Sequence, residues 1–99
     1  MFGRNSVDRA LANYERLIGE FVSGVIDAPT FESRYLMLFK NEAAKIPLKE
    51  FDILDGLFAD VDEYVSDPGL RAEAGGLDDE QLRSRAAAAY KILFLANKE

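Results

Sequence analysis

The sequence predicts an all-α fold, an antiparallel four-helix bundle forming one domain over residues 1–99. Three observations predict it. Apolar residues recur at three- and four-residue spacing in four separate stretches, the signature of amphipathic helices. Short Pro- and Gly-containing turns divide those stretches, which favours antiparallel neighbours. Strand signals are missing: there is no sustained period-two alternation, and Asp55-Gly56 sits inside a helical pattern rather than between two alternating runs.

The first helix is read from Val7, Leu11, Tyr14, Ile18, Phe21 and Val25, which fall on one stripe. Ser6 is its expected N-cap, and Gly24 marks where it weakens or ends. Asp27-Ala28-Pro29-Thr30 reads as a helix start, because Asp accepts from free N–H groups and proline is tolerated in a first turn. The second helix then buries Phe31, Tyr35, Leu38 and Phe39, carries Leu36 and Met37 on its flanks, and fades between Asn41 and Lys45. Pro47 resets the chain. The third helix runs from about Leu48 to Val65, with Phe51, Leu54, Phe58, Val61 and Val65 as its core stripe. Asp67-Pro68-Gly69 is turn chemistry, and Leu70 to Ala74 form a short helical turn before Gly75-Gly76 breaks it. Asp78 with Gln81 makes a capping box for the fourth helix, and Leu77 can pack on Leu82 as a hydrophobic staple. Leu82, Ala86, Ala89, Leu93 and Ala96 form the stripe of that helix.

Composition excludes several functions. The chain has no Cys and no His, so disulfides, thiolate metal sites, cysteine nucleophiles and the common catalytic triads are absent. No cofactor is expected, and no enzyme activity. No apolar stretch approaches the roughly 20 residues that span a bilayer, and Met1-Phe2-Gly3-Arg4 does not lead into the apolar run of a signal peptide. The expected location is cytoplasmic, with no membrane partner.

Charge is unevenly spread. The net charge is −6, yet residues 50–80 hold eleven acids against one base, Arg71. Such a segment repels nucleic acid and favours a basic partner. At about 100° per residue, Asp52, Asp55, Asp60, Asp62 and Glu63 fall on one side of the third helix, nearly opposite its core stripe. These five, with Asp67 and with Tyr64 as an amphipathic anchor at the edge of the stripe, are the candidate partner-binding residues. A solvated helix face is often charged for no further reason, and Asp67 is a turn-former whatever else it does. Asp60-Val61-Asp62 is no chelate, because residues two apart on a helix diverge by about 160°. Arg71 fits an internal ion pair as well as a partner contact. Ile92-Leu93-Phe94-Leu95 faces several directions at once, which leaves two readings, core or a homodimer patch.

Leu17-Ile18 with Phe21, Gly24 and Ile26, Tyr35-Leu36 with Leu38-Phe39-Lys40, and Leu54-Asp55 with Leu57-Phe58 form a pattern. It continues through Asp60-Val61-Asp62, Tyr64, Asp67-Pro68, Leu70-Arg71 and Leu77-Asp78-Asp79 with Leu82-Arg83. The pattern resembles the colicin D-type bacterial self-protective immunity proteins, over roughly residues 14 to 90, and its most specific part is Asp60 to Arg71. The resemblance implies a four-helix bundle that binds a cytotoxic nuclease, in the type case one that cleaves transfer RNA, and blocks its basic active site with an acidic surface imitating substrate phosphates. It leaves open whether Asp60, Asp62 and Asp67 touch the toxin or brace the bundle. The competing expectation is a helical adaptor or regulatory module that binds another basic protein surface.

Overall fold

The computed structural model describes residues 2–95. Those residues are all-helical, with five α-helices: α1 (Phe2–Val22), α2 (Ala28–Glu42), α3 (Leu48–Glu63), α4 (Pro68–Ala74) and α5 (Asp79–Tyr90). A 3₁₀ turn over Ala43–Lys45 follows α2, and a π turn over Lys91–Leu95 extends α5. The short helical turn expected after Pro68 is thus a helix in its own right. The one β-type pairing among the described residues is an isolated parallel bridge between Tyr64 and Leu77. None of the described helices is long and apolar enough to cross a membrane.

Helix ends follow local chemistry. Asp27 accepts from the Thr30 backbone N–H at 3.0 Å and starts α2. Asp78 accepts from Gln81 N at 2.8 Å while Gln81 Oε1 accepts from Asp78 N at 2.9 Å, the reciprocal pair of a capping box. Leu77 and Leu82, on either side of that cap, are both buried. Two expectations for α1 fail. Its helix begins at Phe2, so Ser6 lies inside it and is not its N-cap. It ends at Val22, and Gly24 at φ +88° turns the chain so that Val25 N and Ile26 N both bond to Glu20 O. Val25 therefore leaves the stripe and is 70% exposed.

The core lies where the remaining stripes meet. From α1 come Ala10, Tyr14, Leu17, Ile18 and Phe21, from α2 Ala28, Phe31 and Tyr35, from α3 Leu54, Leu57 and Val61, and from α5 Leu82, Ala86 and Ala89. Leu93 is buried beyond α5; Ala96, expected on the same stripe, lies outside the described residues. Contacts run from α1 to α2, α2 to α3, α3 to α5 and α5 back to α1, with a smaller contact between α2 and α5. Arg83 of α5 fastens the end of α1: its Nε donates to Phe21 O at 3.2 Å, and its guanidinium sits 4.8 Å from the centre of the Phe21 ring.

Aromatic rings of α2 link its neighbours. Phe31 stacks on Phe21 of α1 at 4.3 Å, and Phe39 stacks on Phe51 and Phe58 of α3 at 5.8 and 4.6 Å. Tyr35 lies between, meeting Tyr14 edge-on at 5.7 Å, and its hydroxyl donates to Leu54 O at 2.7 Å. The stacking also corrects the expected register of α3. Phe51 and Phe58 are half-buried at the edge of the stripe, where they meet Phe39, and Leu57 takes the inner position; α3 ends at Glu63, so Val65, expected on its stripe, lies beyond the helix.

Two pairs of substitutions test this packing by denaturant unfolding. Leu57→Ala should cost about 2 to 5 kcal/mol, and Phe58→Ala clearly less, since its ring is only half removed from water. Equal losses would place both side chains in the core. Tyr14 is fully buried and its hydroxyl has no hydrogen-bond partner among the described residues, whereas Tyr35 has Leu54 O. Tyr14→Phe should therefore raise stability by about 1 kcal/mol and Tyr35→Phe lower it by about as much. The opposite order would show that Tyr14 holds the essential hydrogen bond.

Candidate functional site

The outer face of α3 is set by its inner one. Leu54, Leu57 and Val61 point into the core, so the residues half a turn away must face water. Asp52, Asp55, Asp62 and Glu63 do so, and all four are exposed. No cation among the described residues forms an ion pair with any of them. They are the free charge of the candidate site, brought together as the helical spacing predicts.

The other three candidates have hydrogen-bond partners within the protein. Asp60 is paired with Arg85 of α5, Nη1 to Oδ1 at 2.7 Å, and only 20% of its side chain is exposed. Nothing local to Asp60 marks this partner, because 25 residues separate the two. Asp67 caps α4, accepting from Gly69 N at 2.7 Å and Leu70 N at 3.2 Å. Tyr64 is 5% exposed rather than an open anchor, and its hydroxyl donates to Asp79 Oδ1 at 2.6 Å. Burial first, and then the bond to Asp79, push its phenol well above the ordinary tyrosine range. Arg71 also turns inward, Nη1 donating to Val65 O at 2.6 Å. The spacing of Tyr64 after Val61 marked it as an edge residue, but the extended backbone at Tyr64 swings its ring against α5, a rotation that helical periodicity cannot anticipate.

Sequence reasoning did not single out the ground beyond the end of α3. There Asp62, Glu63, Val65, Ala74, Gly75 and Gly76 line a shallow open depression, and Leu70 of α4 stands 58% exposed. Of the run Ile92-Leu93-Phe94-Leu95, Leu93 turns inward and Phe94 is half-buried, while Ile92 and Leu95 are 54% and 48% exposed. No group of three or more acids among the described residues is placed to hold a metal ion.

The described surface thus combines open carboxylates on a helix face with shallow, open depressions. The particular family follows from comparison. The chain belongs to the bacterial self-protective colicin-like immunity family, whose model matches residues 10–93. Proteins of this family neutralise a bacteriocin by binding the cognate toxin protein, and they are inhibitors rather than enzymes. No curated protein and no solved structure gives a significant match to the chain.

The Asp60–Arg85 pair separates bracing from recognition. Arg85 is more than half exposed, so a double-mutant cycle with Asp60→Asn and Arg85→Gln should give a coupling of about 0.2 to 1 kcal/mol in stability. A coupling above about 2 kcal/mol would make the pair a principal tie between α3 and α5.

Proposed function

We propose that this chain neutralises a cytotoxic nuclease, in the manner of the colicin D-type branch of its family, by seating the outer face of α3 in the basic active site of the enzyme. On this reading the four longer helices act as an antiparallel bundle, and the protein works in the cytoplasm, where a transfer-RNA-cleaving toxin would act. The observation that carries the proposal is the set Asp52, Asp55, Asp62 and Glu63, exposed together and without ion-pair partners among the described residues. A nuclease holds its phosphate backbone with cations. Carboxylates spaced along a rigid helix suit that field and repel free nucleic acid, so the preferred partner is the enzyme and not its substrate.

Asp60, Asp67 and Tyr64 enter as supports. Asp60 holds α3 to α5, Asp67 starts α4, and Tyr64 joins the end of α3 to the first turn of α5.

The test is binding to the cognate toxin domain, with Asp52, Asp55, Asp62 and Glu63 replaced singly by Asn or Gln. An acid at the desolvated centre of the interface should cost about 2 to 5 kcal/mol, mostly through faster dissociation, because its loss strands a buried cation. Acids at the rim should slow association and weaken its salt dependence, since their steering is screened over about 8 Å at physiological ionic strength. Folded variants that all bind within about twofold of the parent would move recognition away from α3. Strong binding to a basic protein that is no toxin would support the adaptor reading instead.

A further inference from the structure

The crossing from α3 to α5 is longer than the distance it covers. Val65 N donates to Leu77 O at 3.0 Å and Leu77 N to Glu63 O at 2.9 Å, so the chain leaves and returns at one point. Residues 65–76 between them are an excursion that carries α4. The return is held close: Gly76 has φ +115°, and a Cβ there would lie 2.8 Å from Glu63 O and 2.7 Å from Val65 Cγ2. Arg71 ties the excursion to its own base through Val65 O. Despite this anchoring α4 buries no residue.

A helix with no buried face gains nothing from the core, which is where most helical stability comes from. Its cap and its base hold this one out in water, and its large apolar side chain, Leu70, is presented rather than packed. The surroundings say what could cover it. Asp67 and Glu73 flank Leu70 along α4, and Asp62 and Glu63 lie across the adjoining depression. Among the described residues no cation forms an ion pair with these four, and the one nearby base, Arg71, is turned inward. A second copy of the chain would bring the same carboxylates face to face, which disfavours self-pairing. The complementary cover is cationic around an apolar contact.

We propose that α4 is a second contact element for the basic toxin, with Leu70 seated in an apolar pocket rimmed by lysine or arginine. The inference rests on the reading of α3 as the primary acidic contact. In this arrangement the α3 carboxylates steer and orient the partner, and Leu70 slows its departure, because an apolar side chain desolvated at an interface acts mainly on the dissociation rate.

The experiment measures association and dissociation of the cognate toxin domain, at low and physiological salt. The proteins compared are the parent, Leu70→Ala, Leu70→Met, Leu70→Lys, Ile92→Ala and the pair Asp62→Asn with Glu63→Gln. Leu70→Ala should raise Kd about tenfold at both salt concentrations, through dissociation, with an unchanged melting temperature. Leu70→Met should restore most of the affinity, Leu70→Lys should weaken it further, and Ile92→Ala should bind as the parent does. The acidic pair should instead show a loss that shrinks as salt rises. If Leu70→Ala binds within twofold of the parent while the acidic pair is weakened, α4 is no contact and the reading of α3 stands. If neither is weakened, both are overturned. A lowered melting temperature for Leu70→Ala would make α4 a brace, and that too overturns the proposal.

Discussion

The hydroxyl of Tyr35 is the constraint on which the arrangement of α3 depends. Tyr35 is fully buried, burial drives its phenol well above the ordinary range, and a buried hydroxyl left without an acceptor costs about 1 to 3 kcal/mol. It finds Leu54 O, a carbonyl in the middle of α3. That bond fixes how far α3 can slide and turn against α2, and the stacking of Phe39 on Phe51 and Phe58 holds the same setting one turn on either side. Because a helix is stiff and turns about 100° per residue, fixing Leu54 inward fixes Asp52 and Asp55 outward. The acidic face is thus positioned by a hydrogen bond on the opposite side of its helix.

A second junction plays the same part at the far end. Tyr64 leaves α3 in extended conformation, buries its ring and bonds Asp79 in the first turn of α5, while the bridge to Leu77 brings the chain back to the same place. The capping box at Asp78 begins α5 directly afterwards. The two helices that frame the excursion are therefore joined without it. Whatever happens in α4 is insulated from the core by backbone bonds at its base.

What was legible in the sequence divides along the range of the interaction. Asp27 and Asp78 identified their helix starts because a cap is satisfied within three residues, and the stripe of Leu54 and Val61 gave the inward side of α3 because periodicity is also local. Gly24 showed where α1 ends, although Val25 was then carried one step too far along the stripe. The choice of Leu57 over Phe58 for the inner position was not legible. It depends on Phe39 of another helix offering a stacking surface at the edge. The neutralising partner of Asp60 was hidden for the same reason, since Arg85 reaches it only through the packing of α5 on α3. Of the seven candidate site residues, Asp52, Asp55, Asp62 and Glu63 are exposed with no ion pair among the described residues, as helix geometry alone predicts, whereas Asp60, Tyr64 and Asp67 make hydrogen bonds to other parts of the chain.

This division has an energetic consequence. Asp52 and Asp55 stand three apart on one helix face, and like charges so placed destabilise a helix by a few tenths of a kcal/mol. The core more than offsets that: each fully buried Leu, Ile or Phe contributes about 1.5 to 3 kcal/mol relative to exposure, and four helices bury Ile18, Phe21, Phe31, Leu54, Leu57 and Leu82. Repulsion on the surface is thus tolerated because stability is secured elsewhere, by Tyr35, Leu54, Leu57 and the rings of α2. Exposed positions of this kind change stability by only about 0.5 kcal/mol in either direction when substituted. The exposed positions of α3 and α4 that make no hydrogen bond can therefore vary in charge and shape with little effect on folding. A protein that must match one toxin closely needs that freedom, because new specificity can then arise at the surface while the hydrogen bond that orients the surface stays in place.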